Sequence, residues 1–355
     1  MIIPDEWARA VEHIQQDDRS LAKVMVVGAI DTGKTTFCGL LAKSLWQAGW
    51  RTAVVDADLG QSDIGLPTTI GVGVVENWFD TLSEVPCRSA YFVGNVSPVG
   101  HLLQTVTGTR LMVDKAISWN CQRIILDTDG LVDGPSGWSL KYHLFQLVQP
   151  DWIVMLERHE ELASLKALWC RSEKVKILPL AVPPSVRQRG REERKKFRED
   201  RFKAYLPLCQ FLDLSLQEVR LTNASLGMGR MVPLEEMRRL LPSSIDPESF
   251  LGAWQWGRKV TVLAESVPSA GILTVNDLEW IFRTPDEYEQ VVVGLLDAEG
   301  NLLEVGITFR LDWHRQRLTV LAPRKEQSAP SIVYFGRYRI TLSGDEIGTL
   351  PVDAL

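Results

Sequence analysis

The sequence predicts an α/β fold followed by a smaller β-rich domain. Short apolar strands alternate with helical stretches up to about residue 220, which is typical of a parallel sheet covered by helices on both faces. A glycine-rich turn at residues 28–35 lies between one of these strands and a helix. Beyond about residue 220 the helical pattern fades, and alternating strands predict a mostly antiparallel C-terminal β domain.

The individual elements follow from apolar spacing. Residues 6–17 have helical spacing and predict a leading helix. Residues 36–46 predict an amphipathic helix that directly follows the glycine-rich turn. Six apolar runs predict strands, at 23–28, 52–58, 89–94, 123–129, 151–157 and 174–180. In the last third of the chain, turn residues such as those at 297–301 predict hairpins.

The length of 355 residues predicts two domains, since a domain usually has about 150 residues. We place the boundary at residue 220, which gives domains 1–220 and 221–355. The first domain contains a basic segment at about 186–205. Its twenty residues 186–205 include nine basic and four acidic side chains, a local charge of 9 − 4 = +5.

Composition excludes several classes of protein. The net charge is −6, so the surface as a whole is not expected to coat nucleic acid, and any contact with a polyanion must be local. The five cysteines are widely spaced and form no CxxC pair, which favours a reducing compartment. No signal peptide and no long apolar run is apparent, so we expect a cytoplasmic protein without a membrane span.

The turn at residues 28–35 is a complete GxxxxGK[ST] phosphate-binding loop, or P-loop. It predicts that backbone amides bind nucleotide phosphates, that the lysine reaches the β and γ phosphates, and that the threonine hydroxyl ligates Mg²⁺. The expected cofactors are therefore ATP or GTP together with Mg²⁺. The predicted nucleotide-binding residues are Gly28, Ala29, Ile30, Asp31, Thr32, Gly33, Lys34, Thr35 and Thr36.

Two acidic segments compete for the second Mg²⁺ ligand or the catalytic carboxylate. Residues 56–61 (DADLGQ) and 127–130 (DTDG) each follow a predicted strand. Carboxylates at the carboxyl ends of parallel strands lie in the crevice where ligands bind. A DxxG turn also suggests a GTPase, but the sequence has no NKxD segment to recognise guanine. Asp58 and Asp127 are thus both candidate metal ligands, and the residues leave open which one dominates.

Five segments in order resemble the polynucleotide 5′-hydroxyl kinase family. They cover about residues 20–210, and the β domain is similar to the C-terminal domain of that family. The segments are GAIDTGKTTF, DADLGQSDIGLP, YFVGNVSPVGH, the stretch from LDTDG to DWIVMLE, and VRQRGREERKKFREDRFKAYL. The resemblance implies a P-loop NTPase fold and transfer of a γ-phosphate to the 5′-hydroxyl end of RNA or DNA.

The resemblance also implies roles for individual residues. Lys34 and Thr35 would bind the phosphates and Mg²⁺, and Asp58 would take the proton from the 5′-hydroxyl. Gln61 and Thr128 would belong to the substrate site. The family has a mobile lid, whose arginines are expected here at Arg189, Arg194 and Arg198.

One departure from the family concerns RNA binding. The family usually has Asn-Thr-x-Gly-Trp after the third strand, whereas residues 127–131 here read DTDGL. Trp138 follows seven residues after Leu131, and we expect it either to stack on a base in place of the missing Trp or to pack structurally. The chain also lacks the long extensions of eukaryotic members, which predicts a compact prokaryotic form.

The sequence therefore predicts a Mg²⁺-dependent polynucleotide 5′-hydroxyl kinase that acts on the 5′-OH ends of RNA or DNA. The alternatives are a nucleotide-binding assembly or scaffold protein, a GTPase without a phosphoryl acceptor, and a kinase for a small molecule.

Overall fold

A computed structural model describes residues 3–241, 249–267, 272–323 and 329–351. The chain divides into two compact units, Met1–Arg201 and Phe202–Leu355. This division lies earlier than the predicted position 220. The reason is that residues 209–215 form a strand that pairs with residues 317–323, so they belong to the second unit.

The first unit alternates strands and helices. Its elements are α1 (Asp5–Gln15), β1 (Ala22–Gly28), α2 (Lys34–Gln47), β2 (Thr52–Ala57), β3 (Thr69–Val74), β4 (Cys87–Phe92), α3 (Leu102–Ser118), β5 (Arg123–Thr128), α4 (Gly134–Val148), β6 (Trp152–Glu157), α5 (Ala163–Trp169), β7 (Lys176–Ala181) and α6 (Arg191–Tyr205). All six predicted strands are present, within a few residues of their expected ends. β3 is an additional strand.

These strands form one seven-stranded sheet in the order β4-β3-β2-β5-β1-β6-β7. The five strands from β2 to β7 in that order are parallel, whereas β3 pairs antiparallel with β2 and with β4. β1, β2 and β5 therefore end at the same edge of the sheet. This edge presents Gly28, Ala57 and Thr128, the last residues of the three strands, to the loops that follow them.

Helices cover both faces of the sheet. Side chains of β1 alternate between two hydrophobic cores: Met25 and Val27 lie in the core beneath α3, α4 and α5, and Val24 and Val26 lie in the core beneath α1 and α2. Because both faces are buried, the strands are apolar along their whole length, and this pattern made them recognisable in the sequence. The predicted α/β class is confirmed.

The second unit is mostly β-structure. Its elements after the end of α6 are β8 (Cys209–Ser215), β9 (Arg220–Thr222), β10 (Arg230–Met231), α7 (Leu234–Leu240), β11 (Phe250–Trp256), β12 (Lys259–Ala264), β13 (Ile272–Val275), β14 (Leu278–Arg283), β15 (Val291–Leu296), β16 (Leu302–Asp312), β17 (Arg317–Pro323), β18 (Ile332–Ile340) and β19 (Glu346–Thr349).

These strands make two sheets. The larger has the order β19-β18-β15-β16-β17-β8, with β9 added in parallel to β18, and the smaller has the order β10-β11-β12-β14-β13. Apart from the β9–β18 and β12–β14 pairs, neighbouring strands are antiparallel, which confirms the predicted β domain. Across the described ranges, no helix has the length and apolar character that crossing a bilayer requires.

Candidate active site

The P-loop joins the end of β1 to the start of α2. Gly33 has a φ of +87°, in the left-handed region that favours glycine, and α2 begins at the next residue. A Cβ at Gly28 would lie 2.5 Å from the Thr32 hydroxyl and 2.6 Å from the Leu156 carbonyl oxygen. The loop is therefore folded too tightly for side chains at these positions, and it brings its backbone amides to a helix N-terminus, where anions bind.

Lys34 is buried at the base of this loop. Its Nζ donates a hydrogen bond of 2.8 Å to the carbonyl oxygen of Ala29, within the same loop. Thr32 donates to the same carbonyl at 2.9 Å. The ammonium group is thus already held at the centre of the loop, where phosphate oxygens would bind.

A cleft of about 1140 Å³ opens above the P-loop. Most of the predicted site residues line it, namely Ile30, Asp31, Thr32, Gly33, Lys34, Thr35, Thr36, Asp58, Gln61, Arg189, Arg194 and Arg198. Five predicted site residues are not among its lining residues: Gly28, Ala29, Asp127, Thr128 and Trp138. The fold therefore brings the P-loop, the DADLGQ segment and the predicted lid around one cavity.

The DADLGQ segment holds Asp58 in a fixed orientation. Asp56 organises the loop, because its carboxylate accepts hydrogen bonds from the backbone amides of Asp58, Asp63 and Ile64 at 3.0, 2.6 and 2.9 Å. Oδ1 of Asp58 in turn accepts the amides of Gly60 and Gln61 at 3.1 and 2.9 Å. The two aspartates thus differ in role: Asp56 shapes the loop, and Asp58 faces the cleft.

The surroundings of Asp58 raise its basicity. Burial raises the pKa of the Asp58 carboxyl above its ordinary value, and this effect outweighs the opposing positive charge of Lys34. A carboxylate with a raised pKa accepts a proton more readily than an exposed aspartate. Asp58 therefore has the position and the basicity of a proton acceptor next to the phosphate site.

Asp127 has the properties expected of a metal ligand. It is buried at the end of β5, and among the described residues its Oδ1 has no hydrogen-bond partner. Burial raises the pKa of Asp127 to about 7, although Lys34 and the Thr35 hydroxyl both favour the ionised form. A buried oxygen without a partner, beside the P-loop threonine, fits a site for Mg²⁺.

The donor set supports a metal bound jointly with nucleotide. No group of three or more His, Cys, Asp or Glu side chains in the described part of the chain could hold a metal ion. Mg²⁺ commonly takes one or two protein ligands and completes its shell with phosphates and water. Thr35 and Asp127 are sufficient for that arrangement, and the structure gives Asp58 a different environment, with its Oδ1 occupied by two amides.

A buried ion pair next to the cleft was not predicted. Nζ of Lys141, which is fully buried on α4, donates to Oδ2 of Asp129 at 2.9 Å and to the Asp129 carbonyl oxygen at 2.8 Å. Oδ1 of Asp129 accepts the amide of Leu131 at 2.7 Å. Lys141 has the spacing of the apolar stripe that also contains Leu144 and Val148, and a lysine in such a stripe was the available signal.

The turn that carries Asp129 presses against the P-loop. A Cβ at Gly130 would lie 2.5 Å from the Cγ1 and 2.8 Å from the backbone nitrogen of Ile30. The Lys141–Asp129 pair fixes this turn from the other side. The position of the P-loop therefore depends on a glycine and an ion pair that belong to a different strand–helix connection.

Two of the three predicted lid arginines, Arg189 and Arg194, contact the P-loop or the DADLGQ segment. Oδ2 of Asp31 accepts a hydrogen bond from the Arg194 side chain at 3.1 Å and from the backbone amide of Arg189 at 2.8 Å. The Arg189 side chain donates to Oε1 of Gln61 at 3.1 Å. Arg198 lines the same cleft. All three arginines thus border the cavity above the P-loop.

Two predicted substrate-binding residues lie elsewhere. Thr128 is buried, and its hydroxyl donates to the carbonyl oxygen of Val26 at 2.8 Å, so it links neighbouring strands instead of facing the cleft. Trp138 is 42% exposed on α4 and stacks on Tyr142, with ring centroids 5.0 Å apart. Trp138 does not line the cavity. Base stacking by this residue therefore stays a prediction.

Known proteins resemble this chain along most of its length. Residues 28–207 match the family model described as mRNA cleavage and polyadenylation factor CLP1 P-loop. A polyribonucleotide 5′-hydroxyl-kinase of Methanocaldococcus jannaschii is 30% identical over 99% of this chain and 96% of its own length. A polyribonucleotide 5′-hydroxyl-kinase of Pyrococcus abyssi is 28% identical over 99% of this chain and 97% of its own length.

A solved structure shares the fold. The structure of a wild-type Clp1p–Pcf11p complex superposes with a TM-score of 0.60 over 93% of this chain and 77% of that chain. The identity is 12%, so this likeness concerns the fold alone. The fold predicted from the sequence is confirmed by it.

The ion pair next to the cleft gives a first prediction. Lys141→Met leaves Asp129 buried without its partner, and we expect the free energy of unfolding to fall by roughly 3–5 kcal/mol. The double variant Asp129→Asn/Lys141→Met removes both charges and keeps the acceptor for Leu131, so it should recover most of that loss. Urea denaturation of the full chain measures both. A double variant no more stable than Lys141→Met would contradict the electrostatic explanation.

Asp127 gives a second prediction, on pH dependence. Its folded pKa of about 7 lies above the ordinary value of 3.8, so between these pH values the folded chain holds a proton that the unfolded chain has lost. This group therefore makes the protein less stable as the pH rises from about 4 to about 7. Asp127→Asn removes the effect, and we expect it to be more stable than the parent at pH 8 but not at pH 4.

Thermal denaturation across this pH range measures the effect. The exposed residue Asp18 provides the control, since Asp18→Asn makes the same change of side chain outside the buried site. A difference in melting temperature between Asp127→Asn and the parent that is the same at every pH would show that burial does not raise the pKa of this carboxyl.

Proposed function

The chain belongs to the family of the mRNA cleavage and polyadenylation factor CLP1 P-loop, and on that premise we propose that it is a polyribonucleotide 5′-hydroxyl kinase. The observation that carries the proposal is the placement of Asp58. A buried carboxylate, held by two backbone amides, faces the cleft that contains the P-loop lysine. A protein that only binds nucleotide needs no proton acceptor at this position, whereas phosphoryl transfer to a hydroxyl does.

The phosphoryl donor is ATP or GTP. Its phosphates bind the amides at the start of α2, and Lys34 moves from the Ala29 carbonyl oxygen to the phosphate oxygens. Thr35 and Asp127 would hold Mg²⁺, which supplies positive charge to the phosphates when it is bound. These side chains neutralise and orient the donor. The phosphoryl group passes directly to the acceptor, so no covalent phosphoprotein intermediate is needed.

The phosphoryl acceptor is the 5′-hydroxyl of an RNA end. Asp58 accepts the hydroxyl proton as the 5′ oxygen forms a bond to the γ phosphorus. The bond between that phosphorus and the bridging oxygen to the β phosphate breaks, and the nucleoside diphosphate leaves with that oxygen. Arg189, Arg194 and Arg198 border the cleft, and their donors stabilise the charge on the transferring group.

A labelling experiment tests the function. We expect the protein to transfer label from γ-labelled ATP to a 5′-hydroxyl oligoribonucleotide in the presence of Mg²⁺. Asp58→Asn should lower kcat by at least about 100-fold, because it removes the proton acceptor, with little change in nucleotide affinity. Lys34→Ala should weaken both nucleotide binding and turnover. Asp18→Asn is the matched control for an exposed aspartate.

Three other outcomes of this experiment would contradict the proposal. Tight nucleotide binding without labelled RNA or DNA ends would reject the kinase and favour an assembly protein. Label on a DNA end at the same kcat/KM as on RNA would reject selectivity for polyribonucleotide. Label on a small-molecule acceptor alone would assign the chain to another class of kinase.

The lid gives a separate prediction. Arg194→Ala should lower kcat much more than nucleotide affinity, since the arginine acts on the transferring group, whereas the P-loop amides and Lys34 hold the nucleotide. Arg191→Ala is the control, because Arg191 lies on the same helix but does not line the cleft. Equal effects of the two substitutions on kcat would show that α6 is an ordinary surface helix without a role in phosphoryl transfer.

A further inference from the structure

The loop between β4 and α3 forms one wall of the active-site cleft. Three of its residues line the cleft, namely Val96, Ser97 and Pro98. A Cβ at Gly60 would lie 2.8 Å from the Val96 carbonyl oxygen and 3.8 Å from Oδ1 of Asp58. The loop therefore stands beside the carboxylate that accepts the proton in the proposed reaction.

Backbone hydrogen bonds tie the start of this loop to the same segment. The Thr68 carbonyl oxygen accepts the amides of Val93 and Gly94, each at 3.0 Å. The Thr68 amide in turn donates to the carbonyl oxygen of Leu59 at 2.9 Å, and Leu59 directly follows Asp58. These bonds hold the loop at a fixed position relative to Asp58.

A different group of residues borders the start of α2. A Cβ at Gly33 would lie 3.1 Å from Cη2 of Trp7 and 3.3 Å from Cγ2 of Val186. In a P-loop the amides at the helix start bind the α and β phosphates, and the lysine reaches the β and γ phosphates. The nucleoside of the phosphoryl donor is therefore expected beside Trp7 and Val186.

The acceptor occupies the part of the cleft around Asp58. A general base takes a proton from a hydroxyl within hydrogen-bond distance, so the 5′-terminal nucleoside must lie next to this carboxylate. The cleft is lined there by residues 96–98 and by the turn at 130–133, which follows β5. The loop between β4 and α3 is thus a wall for the acceptor.

Two buried polar side chains hold this wall in shape. Asn95 and His101 are only 6% and 5% exposed. Oδ1 of Asn95 accepts the amide of Val96 at 2.8 Å, and its Nδ2 donates to Nδ1 of His101 at 3.3 Å. The His101 amide donates to the Pro98 carbonyl oxygen at 2.8 Å. Together the two residues fix both ends of the segment that lines the cleft.

His101 occupies the N-cap position of α3 without capping the helix through its side chain. Ser, Thr, Asp and Asn are preferred at this position, because their side chains accept amides of the first turn. Among the described residues, the His101 side chain makes no such bond to α3, and its ring contacts Asn95 instead. The side chain therefore serves the loop and not the helix.

We propose that residues 95–101 orient the 5′-terminal nucleoside of the acceptor, and that Asn95 and His101 are the positioning residues of this loop. The inference rests on the proposed function. Neither side chain is among the residues that line the cleft. They act by holding Val96 and Ser97 next to Asp58, so that the 5′ oxygen of the bound acceptor reaches the carboxylate.

Kinase kinetics of the full chain test the proposal. His101→Phe keeps a ring but removes the bond to Asn95, and it should raise KM for a 5′-hydroxyl oligoribonucleotide by at least about 10-fold. The Kd for ATP, measured by isothermal titration calorimetry, should not change. Since the loop faces the terminal nucleoside, KM for a dinucleotide should rise by the same factor. The conservative variant His101→Asn keeps a polar side chain and should restore most of the acceptor affinity.

Thr109→Val is the control for a loss of helix stability. Thr109 is buried one turn further along α3, and its hydroxyl donates to the Thr105 carbonyl oxygen at 2.8 Å. The substitution removes a buried hydrogen bond of the same helix and leaves the loop intact. KM for the acceptor should therefore equal that of the parent, whatever the change in melting temperature.

A second pair of variants leaves Asn95 and His101 in place. Ser97→Phe adds bulk to the proposed acceptor wall, so it should raise KM for the oligoribonucleotide and leave the Kd for ATP unchanged. Ser185→Phe adds the same bulk at an exposed residue of the cleft next to Val186. It should have the reverse effect, with weaker ATP binding and an unchanged KM for the acceptor.

Unchanged KM values in His101→Phe and Ser97→Phe would overturn the proposal and leave the kinase function standing. An equal rise of KM in His101→Phe and Thr109→Val would also overturn it, since the buried pair would then act only through the stability of α3. A parent that transfers no phosphate to an RNA end would refute the proposed function and this inference together.

Discussion

The active site depends on the electrostatic interaction of the buried Lys34 ammonium group with the carboxyl groups of Asp58 and Asp127. Asp58 and Asp127 lie on neighbouring strand ends, and burial raises the pKa of both. Lys34 opposes that rise at each of them. Without this positive charge, two carboxylates next to a phosphate-binding loop would repel each other and the ligand. The site combines one cation of the P-loop with two carboxylates in different surroundings: Oδ1 of Asp58 accepts two backbone amides, and Oδ1 of Asp127 has no hydrogen-bond partner among the described residues.

The buried ion pair between Lys141 and Asp129 supports the turn next to the P-loop. Lys141 and Asp129 fix the turn against which Ile30 packs, and they add no net charge to the cleft. Well-packed apolar residues often replace a buried ion pair in proteins without loss of stability. The charged pair also supplies an acceptor for the amide of Leu131 and thereby sets the shape of the turn. Its contribution is therefore to geometry more than to stability.

The sequence predicted the parts of the molecule that depend on local pattern. The parallel strands are buried on both faces and apolar throughout, and the P-loop requires glycines at fixed positions. β3 escaped prediction because it contains Gly71 and Gly73, which weaken the strand pattern. In the structure a Cβ at Gly71 would lie 1.8 Å from the Ile64 carbonyl oxygen, so a tertiary contact requires the glycine that hid the strand.

Interactions between distant segments could not be predicted from the sequence pattern. Thr128 matches a substrate-site motif, but its hydroxyl bonds to the adjacent strand. Asp31 was expected only to bind nucleotide, and its carboxylate also receives Arg194 from a helix far along the chain. An aspartate of the P-loop thus serves as the acceptor for an arginine of α6. Under the proposed kinase activity, phosphate oxygens compete with this carboxylate for the same guanidinium group, so the affinity of the cleft for nucleotide includes the free energy of breaking that ion pair.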